Sequence, residues 1–359
     1  MPSTQSTWIS DTRAALQDSH IDYFAVNSRR YWLDFAVSIV IAYSAASIFL
    51  TSPLLSWPQL LAYPLAVFWI YRLSSLVHEV AHLPEHEMRA FKVTWNLLAG
   101  VMLLSPSPFF TRHHRDHHTA KLYGTPEDPE YMANVFTVGS YSGLLRYTLF
   151  VAAFPLIVFL RFLLAPLTFL HPRLREWVLV HASALTMNWR YERKLSPQDR
   201  WSVTTVEWLC CFRAWLIPLT VLIGGAPPHR LLLLYLLGIG GLGLNQLRLL
   251  ADHHLNSDGR PLHWESHILD SCNYTGRDPM TWLLFPFSIR YHALHHLFPT
   301  LPYHNLAAAH KHLLERLPLD SPYRTLDQVS WWNVFSQVMR PRKQRVASDS
   351  SPPPVAEAA

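Results

Sequence analysis

Charge is scarce in this sequence. Asp, Glu, Lys and Arg make up 15% of the 359 residues, where soluble domains carry about 25%, and the deficit points to a membrane. Cysteine is scarcer still: Cys210 and Cys211 sit side by side in an apolar run and Cys272 stands alone. Such thiols exclude a disulfide framework and read as small buried hydrophobes in a reducing compartment. The amino terminus has neither the basic start nor the short apolar core of a secretory signal. Residues 1–30 are polar, include Asp11, Asp18 and Asp22, and are expected to form a cytoplasmic segment. A net charge of +5 is too small to suggest a nucleic-acid partner. In a membrane protein it reflects cytoplasmic Lys and Arg flanking the spans. No internal repeat of useful length is present.

Half of the residues are hydrophobic, yet mean hydropathy is only +0.08, so apolar spans must alternate with polar parts. A helical span needs about 20 predominantly apolar residues, and 31–50, 60–77, 203–223 and 231–250 qualify. The first two are joined by a turn at Ser52-Pro53, the last two by Gly224-Gly225-Ala226-Pro227-Pro228. The run 93–104 is too short and ends in Ser105-Pro106-Ser107-Pro108. The run 144–170 is long enough but contains Pro155, Arg161 and Pro166, and is expected to be an interfacial or re-entrant hairpin. A fifth crossing there would move Arg173, Arg175, Arg190, Arg193, Lys194 and Arg200 to the far face, against the preference of basic residues for the cytoplasm. The expected architecture is an all-α integral membrane protein with a four-span core. Segments 78–145 and 251–340 then form a cytoplasmic, histidine-rich cap, with a bacterial inner membrane favoured. Residues 31–340 make one domain. The tail 341–359, with Ser348 to Ser351 and Pro352-Pro353-Pro354, reads as disordered.

The 21 histidines are the sequence's excess. Residues at i, i+3 and i+4 of a helix share a face. His78 and His82 therefore point together, as do His292, His295 and His296. In His113-His114-Arg115-Asp116-His117-His118 the same arc takes His114, His117 and His118. His113 lies about 140° from His118 at 100° per residue, which sets it aside, although the choice between His113 and His114 stays open. Neutral imidazole suits iron, copper, nickel and zinc. Eight imidazoles in three arcs oversupply one four-coordinate zinc, and two metal ions account for them better.

These three clusters resemble the boxes of the membrane-bound fatty acid desaturase family, HxxxH, HxxHH and HxxHH. The resemblance runs from about residue 31 to 314. It includes Glu127-Asp128-Pro129-Glu130, the run Tyr291-His292-Ala293-Leu294-His295-His296-Leu297-Phe298-Pro299, and Leu301-Pro302-Tyr303-His304-Asn305-Leu306. It implies a four-span core, a cytoplasmic cap and two irons (Fe2+/Fe3+) held largely by histidine, with dioxygen as co-substrate. It also implies one more histidine ligand after the last span. His253 fits, because Gln246-Leu247-Arg248-Leu249-Leu250-Ala251-Asp252-His253 looks like the family's segment there, with His254 as the alternative. The implied ligand set is His78, His82, His114, His117, His118, His253, His292, His295 and His296. Acyl-CoA desaturases place asparagine one turn before that ligand, where this chain has Leu249. Front-end desaturases carry glutamine where this chain has His292. No His-Pro-Gly-Gly segment marks a fused cytochrome b5, so electrons are expected from a separate ferredoxin, rubredoxin or cytochrome b5 type donor and its reductase.

The implied reaction is oxidation of a fatty acyl chain in a free acid, thioester or lipid, with desaturation as the leading expectation. The chain also resembles bacterial alkene-forming fatty acid decarboxylases, so decarboxylation of a free acid to a terminal alkene is the alternative, followed by hydroxylation. Glu79, Asp116, Asp128 and Asp252 are candidate acceptors for ligand imidazole N–H groups, or else solvated loop carboxylates. Arg213 and Arg248 sit within spans, where ionisable groups are costly and often functional. They are candidates for holding a substrate head group, although Arg248 could equally snorkel.

Three other readings fit less. His78-Glu79-Val80-Ala81-His82 spells the HExxH motif of zinc proteases, but that leaves two clusters unexplained. A metal transporter or a membrane haem protein would carry its polar groups or histidine pairs inside the spans, and here the histidines sit at span ends. Gly238-Ile239-Gly240-Gly241-Leu242-Gly243 matches GxGxxG by letters but lies in an apolar span after no strand, so close helix packing is its expected role.

Overall fold

The computed structural model describes residues 7–132 and 136–340; the expected disordered tail, 341–359, lies outside the described residues. Five helices are long and apolar enough to cross a membrane: Ser28–Thr51, Trp57–His82, Tyr141–Leu163, Pro197–Leu222 and His229–Leu249. They are called the first to fifth long helices below. The first begins where the Asn27 side chain accepts from the Arg30 amide at 3.2 Å, and it ends one residue before Ser52-Pro53 because proline disfavours helix at the preceding position. The second starts on Trp57-Pro58, where the missing proline N–H costs nothing. Small residues let these two helices and the fifth approach one another: Ala45, Ala62 and Ala66 are buried together with Leu233 and Leu237. Within the GxGxxG run, a Cβ on Gly240 would stand 2.5 Å from Val67 Cγ2, which only glycine avoids.

The segment expected as a hairpin over 144–170 is instead one continuous helix, Tyr141–Leu163, followed by a 3-10 turn, Ala165–Leu170. The features read as breakers have partners distant in sequence. Pro155 forfeits one backbone hydrogen bond, but its ring fits against Gly238, where a Cβ would lie 3.2 Å from Pro155 Cβ. The Arg161 guanidinium donates to Glu207 at 2.5 Å and to the Ala182 carbonyl at 2.8 Å, so its charge is compensated inside the fold. This helix starts against the end of the fifth, with Tyr147 donating to Gln246 Oε1 at 2.7 Å. It finishes with the Phe162 ring 5.1 Å from Phe109, just ahead of the second histidine cluster.

The remaining chain folds over the ends of the second and fifth long helices. Short helices Arg89–Trp95, Thr111–His117, Trp264–Leu269, His292–Leu297 and Tyr303–Arg316 surround the histidines. A two-residue parallel pairing, Asn273–Tyr274 with Asp327–Gln328, ties the last part together. Trp95, Tyr303, Leu306 and Leu313 are buried in a cluster with Leu73, Leu76 and Val80 of the second long helix. That packing fixes the cap to the helix carrying His78 and His82.

Candidate metal centre

His78 and His82 occupy the last turn of the second long helix, where an apolar helix gives way to the cap. The short helix Thr111–His117 presents His114 and His117, with His118 at its cap, and His292–Leu297 presents the third arc. His253 comes from an extended stretch bridged to Ser271. The fold gathers these side chains into two groups, His78, His82, His114 and His295, and His117, His253, His292 and His296. Within each group one ligating nitrogen per residue lies within 4.8 Å of the others. His118 stands between the groups: its Nε2 is 3.2 Å from that of His295, and its ring stacks on His296 at 4.1 Å.

The hydrogen bonding shows that the groups fit cations. Nδ1 of His117 lies 2.8 Å from Asp128 and Nδ1 of His114 lies 2.7 Å from Glu130. Nδ1 of His253 lies 2.7 Å from the Tyr123 hydroxyl. An Nδ1–H donated outwards leaves Nε2 as a bare lone pair facing in. The inward nitrogens of His117 and His253 are 3.2 Å apart, those of His253 and His292 3.1 Å, and those of His292 and His296 3.0 Å. Nε2 of His78, His82 and His114 is buried with no hydrogen-bond partner. Converging, unsatisfied lone pairs are costly unless a cation lies among them. Protons are poor substitutes: burial, then the neighbouring imidazoles (at His292, first Arg248), hold His114, His253, His292, His295 and His296 well below the usual histidine range. At His117 burial also opposes the proton, but the Asp128 carboxylate outweighs it and the net shift is upward.

The other sequence candidates divide. Asp128 is fully buried and accepts from the backbone of Gly124 and Glu130 as well as His117. Glu79 lies 3.3 Å from His78 Nδ1 and also accepts from Tyr31 and from the Tyr303 amide, so it is occupied as a support rather than poised as a base. Asp116 instead bonds Tyr191 at 2.8 Å and Arg112 at 3.2 Å. Asp252 pairs with Arg248 at 2.5 Å, and burial pushes its carboxyl up to about 6 against the pull of that arginine. His113 turns away, its Nδ1 on the Phe109 carbonyl at 3.1 Å, and His254 faces Gln337. Sequence reasoning missed Glu130, Tyr123 and His267. Glu130 lies in the quoted Glu-Asp-Pro-Glu segment, while the other two sit in no spacing pattern.

A cavity of about 1090 Å³ runs from His78, His113 and Glu130 at the metal end to Thr51 and Arg230 at the opposite end of the long helices. Its walls are largely apolar, among them Ile70, Phe159, Gly241 and Leu242, and Leu249 lines it near the histidines. Arg213 also lines it, with Nε buried and lacking a hydrogen-bond partner. Arg248 does too, but it is already committed to Asp252.

A family profile described as fatty acid desaturase matches residues 53–327. The chain belongs to the fatty acid desaturase family. It is therefore a membrane oxidoreductase acting on fatty acyl chains, and the family's two irons and dioxygen chemistry are what the histidine groups would serve. The protease, transporter and haem readings fall away. The chain is also similar to a ceramide hydroxylase of Caulobacter vibrioides (strain NA1000 / CB15N), 35% identical over 353 residues, covering 96% of this chain and 97% of the relative. No solved structure matches it.

Proposed function

We propose that this family member hydroxylates an acyl chain of a ceramide-type lipid, an amide of a fatty acid with a long-chain amino alcohol. The observation that carries this is similarity along almost the whole length to a ceramide hydroxylase. The cavity supports it: about 1090 Å³ is at or above the upper end of the roughly 300–1,000 Å³ of small-molecule pockets, enough for a lipid with more than one chain.

In this reading His78, His82, His114 and His295 would hold one iron, and His117, His253, His292 and His296 the other, with His118 available to either group. When bound, the pair of irons supplies oxidation of an unactivated C–H bond with dioxygen. The chain's own residues do the rest. Glu79, Glu130 and Asp128 orient imidazoles through Nδ1. The apolar cavity excludes water and aligns the acyl chain with the histidine end. The free guanidinium of Arg213 receives the lipid's polar oxygens, while Arg248, paired with Asp252, braces the segment that leads to His253. The first, second, fourth and fifth long helices cross the bilayer, and the third packs along the fourth and fifth. The histidine side is cytoplasmic, where a separate ferredoxin, rubredoxin or cytochrome b5 type donor delivers electrons.

Membranes containing the protein, a reductase system and defined lipids test this by mass spectrometry. A ceramide that gains one oxygen atom with its carbon skeleton intact is the expected product. Loss of two hydrogens without added oxygen would replace hydroxylation by desaturation. A terminal alkene one carbon shorter, formed from free fatty acid, would establish decarboxylation instead.

A further inference from the structure

Two imidazoles of the second group rest on His267 and Tyr123, side chains outside the three histidine clusters. His267, in the helix Trp264–Leu269, is fully buried, and its Nε2 lies 2.7 Å from Nδ1 of His296. Its ring lies flat on Tyr123, with centroids 3.6 Å apart and 19° between the planes. The Tyr123 hydroxyl donates to Asp270 at 2.8 Å and lies 2.7 Å from Nδ1 of His253. A phenol has one proton to give. With that proton on Asp270, the oxygen accepts from His253 Nδ1–H. When neutral His267 carries its proton on Nδ1, an atom buried without a partner, its Nε2 accepts from His296 Nδ1–H. The stacked pair thus sets the tautomer of two imidazoles at once, and both turn a bare Nε2 inward.

We infer that His267 and Tyr123 are a positioning pair for one of the two metal positions, and that they make the positions unequal. In the first group His78 leans on Glu79 and His114 on Glu130, both carboxylates. In the second group His117 has the carboxylate of Asp128, but His296 and His253 have neutral acceptors, His267, Tyr123 and Ser271 Oγ at 3.1 Å. Asp270 stands one residue further back. Acceptors behind a ligating imidazole raise its basicity, and an anionic acceptor does so more than a neutral one. The second position is the less neutralised of the two and releases its metal first. This rests on the dinuclear reading of the site.

The test is a chelator titration of purified protein loaded with enriched ferrous iron, followed by Mössbauer spectroscopy and total iron. The wild type is expected to show two iron populations that leave in sequence. His267→Phe keeps a flat ring on Tyr123 and removes only the acceptor. It is expected to weaken retention of the earlier-leaving iron about 10–100-fold and leave the other at its wild-type value. His267→Gln, which restores an acceptor, should recover most of that loss. The inference is overturned if His267→Phe leaves both populations unchanged, weakens both equally, or is not rescued by glutamine. Should His267→Phe fail to fold, Tyr123→Phe, lacking one hydroxyl, must show the same selective loss. A wild-type chain that never holds two irons would sink the dinuclear reading itself.

Discussion

His113 and His114 are neighbours with opposite fates. One turns its ring onto the Phe109 carbonyl, and the other points a bare Nε2 at His78 and His82. His114→Ala should abolish turnover and lower bound iron, whereas His113→Ala should keep most of its iron and measurable activity; the reverse order, by metal analysis and product yield, would contradict the assignment. Asp128→Asn keeps the shape but removes the charge behind His117, and should cost about 10–100-fold in metal affinity by competitive chelation. The helical arcs made this much of the site legible, because i, i+4 spacing acts within a single turn. His253 came from the resemblance alone. His267 and Tyr123 were invisible because their role depends on a stack between residues 144 positions apart in sequence. Among the paired arginine candidates, only the structure shows that Arg248 is already taken and Arg213 is not. Arg213→Leu should therefore raise KM for the lipid more than it lowers kcat.

At the scale of elements, the third long helix shows what periodicity cannot supply. Arg161 and Pro155 read as breakers because their partners, Glu207 and Gly238, lie far along the chain. Glu207 is fully buried and takes both Arg161 at 2.5 Å and Arg175 at 2.7 Å. Removing one member of a buried ion pair costs about 3–5 kcal/mol. Glu207→Ala should therefore lower the thermal midpoint in detergent sharply, and an unchanged midpoint would show that the pair does not hold this helix. Four of the five long helices overlap the apolar runs read from the sequence, with ends displaced by up to six residues, since a run of about 20 apolar residues has few alternatives. The glycine run adds a paired expectation. A Cβ on Gly240 meets Val67 at 2.5 Å, while one on Gly243 meets nothing within 4 Å. Gly240→Ala should cost about 1–3 kcal/mol from overpacking, and Gly243→Ala close to nothing, by the same melt.

Over the whole molecule, the buried imidazoles link stability to pH. His114, His118, His253, His292, His295 and His296 all sit well below the usual range, first through burial and then through neighbouring imidazoles, or at His292 through Arg248. Unfolded, each takes a proton near pH 6.5; folded, it does so only at lower pH. The unfolded chain then binds more protons, so stability is present above about pH 6.5 and is lost as pH falls below it. His117, raised by Asp128 after the opposing effect of burial, acts in the other sense and is outnumbered. Iron-free protein should accordingly melt at lower temperature as the buffer is taken below about pH 6.5; a midpoint that rises with acid would reverse the sign. Everything returns to whether two groups of imidazoles, brought together from three boxes and His253, hold two metal ions. Iron counted per chain in purified wild type, His82→Ala and His292→Ala decides it most directly. Two irons in the wild type and a loss in each variant confined first to its own group are the expected result, and a single zinc per chain, untouched by His292→Ala, would contradict the account.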